Sequence, residues 1–215
     1  MSNENFYVTT PIYYVNSVPH LGHAYTTILA DVVNRYQKLI GNKTFFQTGT
    51  DEHGDKIAKA AGVQDISPQE LTDINSKRFK DLLPIIGATN DSFIRTTDKI
   101  HKKVVSDLLQ RVYDKGDIYK ADYEGKYCYG CERYLGDDEL KDGRCIDHDK
   151  EPELIKESNY FFKMTKYWDE LKSIIDARPE LIVPVGYRKE VKGLLAQNPT
   201  DLCISRPKSR LEWGI

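Results

Sequence analysis

Two groups of residues combine side-chain types with spacings that can do chemistry. The first is Cys128-Tyr129-Gly130-Cys131 followed by Cys145-Ile146-Asp147-His148, which reads C-x2-C, thirteen residues, then C-x2-H. Two ligand pairs, each on a tight turn with Gly130 easing the first, close a tetrahedral Cys3His site of the structural zinc type. A histidine as fourth ligand and the lack of a cluster-binding cysteine run favour zinc over iron–sulfur. With every position filled by protein, such an ion is structural and offers no open site for Lewis-acid catalysis. Surface thiols beside an incidental histidine are the alternative. Cys203, alone in an apolar-flanked segment, reads as a small buried residue rather than a ligand.

The second group is His20-Leu21-Gly22-His23, whose imidazoles stand three residues apart and so leave one face of a helix's first turn. Helix N-termini favour anions because free N–H groups and the macrodipole point at them. His20 and His23 add donors that can become cationic as phosphate charge builds, and Gly22 lets a nucleotide approach the backbone. Two histidines that merely cap or face solvent are the alternative.

The surrounding elements place these groups. Phe6–Thr10 is β-branched and aromatic and reads as a buried strand, 44–48 as a second and 92–97 as a third. Between the first two, Leu21, Ala24, Tyr25, Ile28, Leu29, Val32, Val33, Tyr36 and Leu39 follow the rhythm of an amphipathic helix. Pro19 suits its first turn and Gly41 its C-terminal end. Helices are expected over 56–61 and over 67–83, the latter opened by Ser67 with Glu70 as capping-box partner. Another carries Ile100, Val104, Leu108 and Val112 on one face. Strands alternating with helices predict an α/β fold with a doubly wound, Rossmann-type parallel sheet over residues 1–115. This puts the His20–His23 pair at the sheet's carboxyl edge, where open α/β folds bind ligands.

From about Tyr119 to Asp149 the chain is tyrosine-rich, glycine-punctuated and cysteine-bearing, with little apolar rhythm. A stretch this short and polar needs a staple. Thr165 is expected to cap a helix that turns Trp168, Leu171 and Ile175 inward, and a further helix is expected over 188–195. Four cysteines, three of them clustered, fit metal binding in a cytosolic chain better than disulfides. The 215 residues are 40% hydrophobic and 30% charged, with net charge −2, an ordinary globular composition without a global basic signal for nucleic acid. No apolar run reaches the roughly 18 residues of a membrane span. The polar start Met1-Ser2-Asn3-Glu4-Asn5 is unlike a secretory or transit signal, so a cytoplasmic location is expected. Lys141, Arg144, Lys150, Lys156 and Lys163 are interspersed with acids, as on a solvated surface.

Pro11-Ile12-Tyr13-Tyr14-Val15-Asn16-Ser17-Val18-Pro19-His20-Leu21-Gly22-His23 resembles the first signature of class I aminoacyl-tRNA synthetases in its methionyl form. Thr48-Gly49-Thr50-Asp51-Glu52-His53-Gly54 resembles the family's second-strand segment, and Phe93-Ile94-Arg95-Thr96-Thr97-Asp98 its third. Ile204-Ser205-Arg206, before Trp213-Gly214-Ile215, resembles the return from the family's insertion. The resemblance runs in order through essentially the whole chain. It implies residues 1–115 as the first half of a nucleotide-binding domain, 116–203 as a connective insertion with a zinc knuckle near 126–150, and 204–215 as the return.

It further implies ATP, L-methionine and tRNA(Met) as substrates, Mg2+ accompanying ATP, and one structural zinc. His20 and His23 would act on the phosphates, with Gly22 also in the nucleotide site. Asp51 would hold the α-ammonium group by a charge-assisted hydrogen bond, while Arg206 would pair with Asp51. Pro11, Ile12 and Tyr14 would line the side-chain pocket, an apolar slot with one hydroxyl that suits a thioether. Asp51 can equally be a turn aspartate bonding its own backbone, Arg206 a surface arginine, and the pocket residues core. Another aromatic of the family's pocket, its Lys-Met-Ser-Lys-Ser-like loop and its helical anticodon-binding region have no counterpart in these residues. The sheet is therefore expected to be incomplete and the chain alone to lack aminoacylation activity. The rivals are a class I synthetase for valine, isoleucine, leucine or cysteine, a small nucleotidylyltransferase, and a zinc-stabilised RNA-binding module over 116–165. The tyrosine of Pro11-Ile12-Tyr13-Tyr14 and the single Cys3His knuckle argue against the first, and the insertion against the second.

Overall fold

The computed structural model describes residues 4–209 and 211–215. The chain divides into two compact units. One comprises the chain up to Asp107 with Tyr129–Arg133 and Leu211–Ile215, and the other Leu108–Cys128 and the stretch between Arg133 and Leu211.

In the first unit, β1 (Asn5–Thr9), β2 (Tyr13–Tyr14), α1 (Leu21–Leu39), β3 (Lys43–Asp51), α2 (Asp55–Val63), α3 (Pro68–Ile85) and β4 (Ser92–Arg95) follow in order, and α4 (Lys99–Asp114) comes next. The sheet is wholly parallel, as the alternation of strands and helices predicts. Its centre is β3, paired along one edge with β1 from Asn5↔Lys43 to Thr9↔Gln47 and then with β2 through Tyr13↔Thr50 and Tyr14↔Asp51. On the opposite edge β4 pairs from Gln47↔Ser92 to Thr50↔Arg95. Because β1 and β2 share one edge, the sheet is three strand positions wide.

The core of this unit gathers Tyr13, Val15, Ile57, Ala61, Leu71 and Phe79, with Phe93 and Trp213 packed against it. Ser67 and Glu70 form the expected capping box at the start of α3, each side chain accepting from the other's backbone N–H. At α1 the structure corrects two expectations. His20 is the N-cap, so Pro19 precedes the helix instead of occupying its first turn. The apolar stripe is also not the buried side. Leu21, Tyr25, Ile28, Leu29, Val32, Val33, Tyr36 and Leu39 are exposed, while Thr27, Ala30, Asp31 and Asn34 are buried. Most of the polar groups on the buried face are bonded. Asp31 accepts from the backbone and hydroxyl of Thr89 at 2.7 and 2.6 Å, and Asn34 donates to the same hydroxyl at 3.4 Å.

The second unit contains β5 (Ile118–Cys128), β6 (Arg133–Leu135), β7 (Leu140–Lys141), β8 (Arg144–Cys145), β9 (Glu153–Phe162), α5 (Trp168–Ala177), α6 (Arg188–Leu195) and β10 (Leu202–Cys203). Its sheet runs β10-β9-β5-β6, with β5 and β9 antiparallel from Ile118↔Phe162 to Tyr127↔Glu153. The first part of the tyrosine-rich stretch is thus a regular strand, although little apolar rhythm is read there from the sequence. Tyr119, Tyr123 and Tyr127 alternate with charged residues, and aromatic contacts supply the packing. Tyr119 and Tyr123 lie 5.8 and 5.6 Å from Phe161, and Tyr127 lies 5.2 Å from Tyr134. Thr165 does not cap α5. Its backbone N–H and hydroxyl donate to Asp201 within a 3-10 turn over Met164–Tyr167, and Tyr167 takes the cap position. Trp168 is buried as expected, its indole N–H donating to the Leu195 carbonyl at 3.2 Å, whereas Leu171 is exposed.

Candidate functional site

The first turn of α1 is closed by its two histidines. His20 Nδ1 accepts the Gly22 N–H at 3.1 Å, and His23 Nδ1 accepts the His20 N–H at 3.1 Å, a capping box built from imidazoles. With both Nδ1 atoms accepting, each neutral ring carries its proton on Nε2. The rings stack with centroids 3.7 Å apart. His23 is wedged between Tyr13 at 4.8 Å and Phe79 at 4.9 Å, while the Tyr13 hydroxyl bonds Thr27 at 2.9 Å. Burial, and then the neighbouring His20, holds the His23 imidazole below the usual histidine range. The capping alternative and an anion-binding arrangement are therefore one geometry. The cap uses one nitrogen of each ring and turns the other into a donor. Gly22 has a further use: a Cβ there would lie 3.0 Å from His20 Cε1, so the missing side chain makes room for the His20 ring.

Strand alternation separates the adjacent tyrosines. Tyr13 enters the core, while Tyr14 points outward and is 44% exposed. Tyr14 and Asp51 are direct partners across β2 and β3, at the carboxyl end of the parallel sheet. Pro11 and Ile12, on the loop between β1 and β2, are exposed. Burial lifts the Asp51 carboxyl above its usual range and the Glu132 carboxylate lifts it further, partly offset by the backbone N–H groups of His53 and Glu52. Those N–H groups make Asp51 the self-bonding turn aspartate of the sequence alternative. Burial, the charges of Glu132 and Asp51, and the hydrogen bond to Glu132 push the Tyr14 phenol up to about 12.

Residues that sequence reasoning passed over stiffen the segment after Asp51. Glu52 is fully buried and receives Arg95 through two bonds of 2.7 and 2.9 Å, with the hydroxyls of Thr50 and Thr97 on the same carboxylate. Its carbonyl accepts the Trp213 indole N–H at 2.6 Å. Nothing in the local sequence marks Glu52 as buried, because apart from Thr50 its partners come from residues 95 to 97 and 213.

The four residues of the Cys/His motif come together. Ligand atoms of Cys128, Cys131, Cys145 and His148 all lie within 4.8 Å of one another. His148 Nδ1 is 4.0 Å from Cys128 Sγ and 3.8 Å from Cys145 Sγ. Tetrahedral zinc with ordinary bond lengths would set ligand separations of about 3.5–3.8 Å. The donor chemistry fits that ion, and the ligand atoms are gathered slightly wider than bonded lengths would set them. Cys145 is delivered by the hairpin of β7 and β8, whose Asp142-Gly143 loop has both φ angles positive, at 52° and 78°. Cys203 stands outside the cluster, half-buried, its sulfur accepting from Arg206 at 3.3 Å. The Arg206 guanidinium also lies over the rings of Tyr127 and Tyr134, at 5.1 and 5.5 Å.

A parallel sheet with an imidazole-capped helix at its carboxyl edge, and a Cys3His cluster in the chain that follows, define an α/β fold of the nucleotide-binding type with a cluster that fits a zinc site. The model of the family described as tRNA synthetases class I (M) matches residues 6–145 and 137–215, and the chain belongs to that family. Among its relatives, the methionine–tRNA ligase of Deinococcus radiodurans is 50% identical over 99% of this chain, and that of Fusobacterium nucleatum 47% over 99%. The chain spans 32% and 33% of their respective lengths. A solved Mycobacterium tuberculosis methionyl-tRNA synthetase in complex with methionyl-adenylate superposes with a TM-score of 0.91 at 36% identity. That match covers 98% of this chain and 42% of the other. Among the described residues, no helix is long and apolar enough to cross a membrane.

Proposed function

We propose that this chain carries the amino-acid-activating site of a methionine–tRNA ligase, and that the full-length protein joins L-methionine to tRNA(Met) in the cytoplasm. The observation that carries the reading is the pairing of Tyr14 with Asp51 at the carboxyl end of the sheet, with the imidazole-capped start of α1 on the same first-strand loop. Residues 1–115 form the first part of the catalytic domain, 116–203 the connective insertion and 204–215 the return.

A methionine carboxylate oxygen attacks the α-phosphorus of ATP. The bond to the bridging oxygen breaks, and pyrophosphate leaves with the electron pair. Little covalent help is needed, since positioning and charge stabilisation carry the step. The Nε2–H groups of His20 and His23 donate to phosphate oxygens as charge accumulates, beside the backbone approach at Gly22. Asp51 holds the substrate ammonium, and Pro11, Ile12 and Tyr14 contact the side chain. A hydroxyl of the tRNA's terminal adenosine then takes the acyl group and AMP departs. Mg2+ accompanies ATP, and one zinc ion at Cys128, Cys131, Cys145 and His148 is structural.

Asp51→Asn tests the ammonium seat through two opposed effects. Removing one partner of a charge-assisted pair costs about 2–5 kcal/mol, so kcat/KM for methionine in ATP–pyrophosphate exchange by the full-length protein should fall about a hundredfold. Stability should move the other way. A carboxyl raised in the folded state contributes stability at low pH that is lost as pH rises through its folded pKa. An uncharged amide escapes that loss, so the variant should melt higher than the wild type at neutral pH and no higher in acid. Unchanged methionine kinetics would remove Asp51 from the site.

A further inference from the structure

Helix α2 begins without a cap of its own. Its N-cap is Gly54, with φ +110°, and no side chain there accepts from the first turn. The missing acceptor arrives from distant sequence. Glu132 Oε1 accepts the Lys56 backbone N–H at 3.1 Å, at the position a cap residue would serve. The other oxygen, Oε2, accepts the Tyr14 hydroxyl at 3.2 Å. A Cβ at Gly54 would stand 2.9 Å from Oε1, so glycine is the residue that admits this carboxylate. Lys56 completes the arrangement, its ammonium 3.9 Å from Glu132 Oε2 and 5.4 Å from the Tyr14 ring centroid. A second contact ties the same short segment to α2, with Lys59 Nζ 3.6 Å from the Tyr129 ring centroid. The Glu132 side chain is 17% exposed, and its backbone sits at φ 56°, a left-handed conformation that few side chains adopt.

We propose that Glu132 is a positioning residue for the amino-acid pocket, fixing the Tyr14 hydroxyl with one carboxylate oxygen and the first turn of α2 with the other. The inference rests on the reading of Tyr14 as a methionine contact. A tyrosine on a two-residue strand, 44% exposed, has little packing to hold its ring. Anchoring its hydroxyl removes rotamer freedom before substrate arrives, and pre-organisation of this kind is read in substrate affinity rather than turnover.

The test is ATP–pyrophosphate exchange by the full-length protein, with methionine and ATP varied separately. Glu132→Ala should raise KM for methionine about tenfold and leave kcat and KM for ATP within about twofold. Glu132→Gln keeps an oxygen for the Lys56 N–H and an amide able to pair with Tyr14. It should therefore recover most of the loss and guards against a simple folding defect. In a Tyr14→Phe background, Glu132→Ala should add less than about twofold, because the hydroxyl through which it acts is already gone. A folded Glu132→Ala protein with unchanged KM for methionine would overturn the proposal, as would losses from the two substitutions that multiply. Absence of methionine-dependent exchange in the wild type would overturn the reading of the site, and this inference with it.

Discussion

Replacing His20 with asparagine should slow methionyl-adenylate formation by about 10²–10³-fold, the range for loss of one donor aimed at developing charge, while leaving the melting temperature within a degree or two. The substitution separates two roles that the wild-type ring combines. Asparagine is among the best N-cap residues, so its carbonyl oxygen can replace His20 Nδ1 as acceptor for the Gly22 N–H at the start of α1. It has no counterpart of the outward Nε2–H. His20→Ala would lose both roles, and its cost of about 1 kcal/mol in stability would blur the comparison. Single-turnover adenylate formation by the full-length protein, alongside thermal melting, reads the two roles separately. A variant that folds and activates methionine at the wild-type rate would make the histidine pair a cap and nothing more.

Removal of zinc should have the largest effect on stability, confined to the segment that holds the cysteine and histidine ligands. Structural zinc contributes about 10–16 kcal/mol in isolated peptide sites, and the segment between Cys128 and His148 is otherwise built from two- and three-residue strands and turns. Chelation, or Cys145→Ala, should abolish bound zinc and raise amide exchange across 128–148 by several orders of magnitude. Cys203→Ala should leave zinc content unchanged, since Cys203 lies outside the cluster. Acidification should release the ion, because protons compete with the metal for thiolate and neutral imidazole. Equal amide protection with and without metal would contradict the structural assignment.

Residue pattern carries the parallel sheet and the metal cluster because each depends on local spacing. The capping box at Ser67 and Glu70, the strand through Thr44–Gln47 and the C-x2-C and C-x2-H pairs are all short-range signals. The second sheet is equally local, yet its signal is easily misread. Tyr119, Ala121, Tyr123, Gly125 and Tyr127 alternate with Lys120, Asp122, Glu124 and Lys126, a period-two pattern obscured by treating tyrosine and glycine as irregular. The Asp142-Gly143 hairpin loop is a further overlooked signal of the same kind. Burial on α1 departs from expectation for another reason. Asp31 lies inward because Thr89, more than fifty residues away, donates to it, and the Asn34 amide N–H reaches the same hydroxyl; no local periodicity reports such a partner. Glu52 and Glu132 share that property. Their importance comes from Arg95 in one case, and from Tyr14 and Lys56 in the other, so only the folded chain reveals it.

The most direct test of the site is amino-acid-dependent ATP–pyrophosphate exchange by the full-length protein, with methionine compared against valine, isoleucine, leucine and cysteine. The account predicts rapid exchange with methionine and at least about tenfold lower kcat/KM with each of the others, the lower bound that a hydrophobic pocket achieves per methylene. Exchange driven as well by valine or leucine as by methionine, or no exchange with methionine at all, would contradict it.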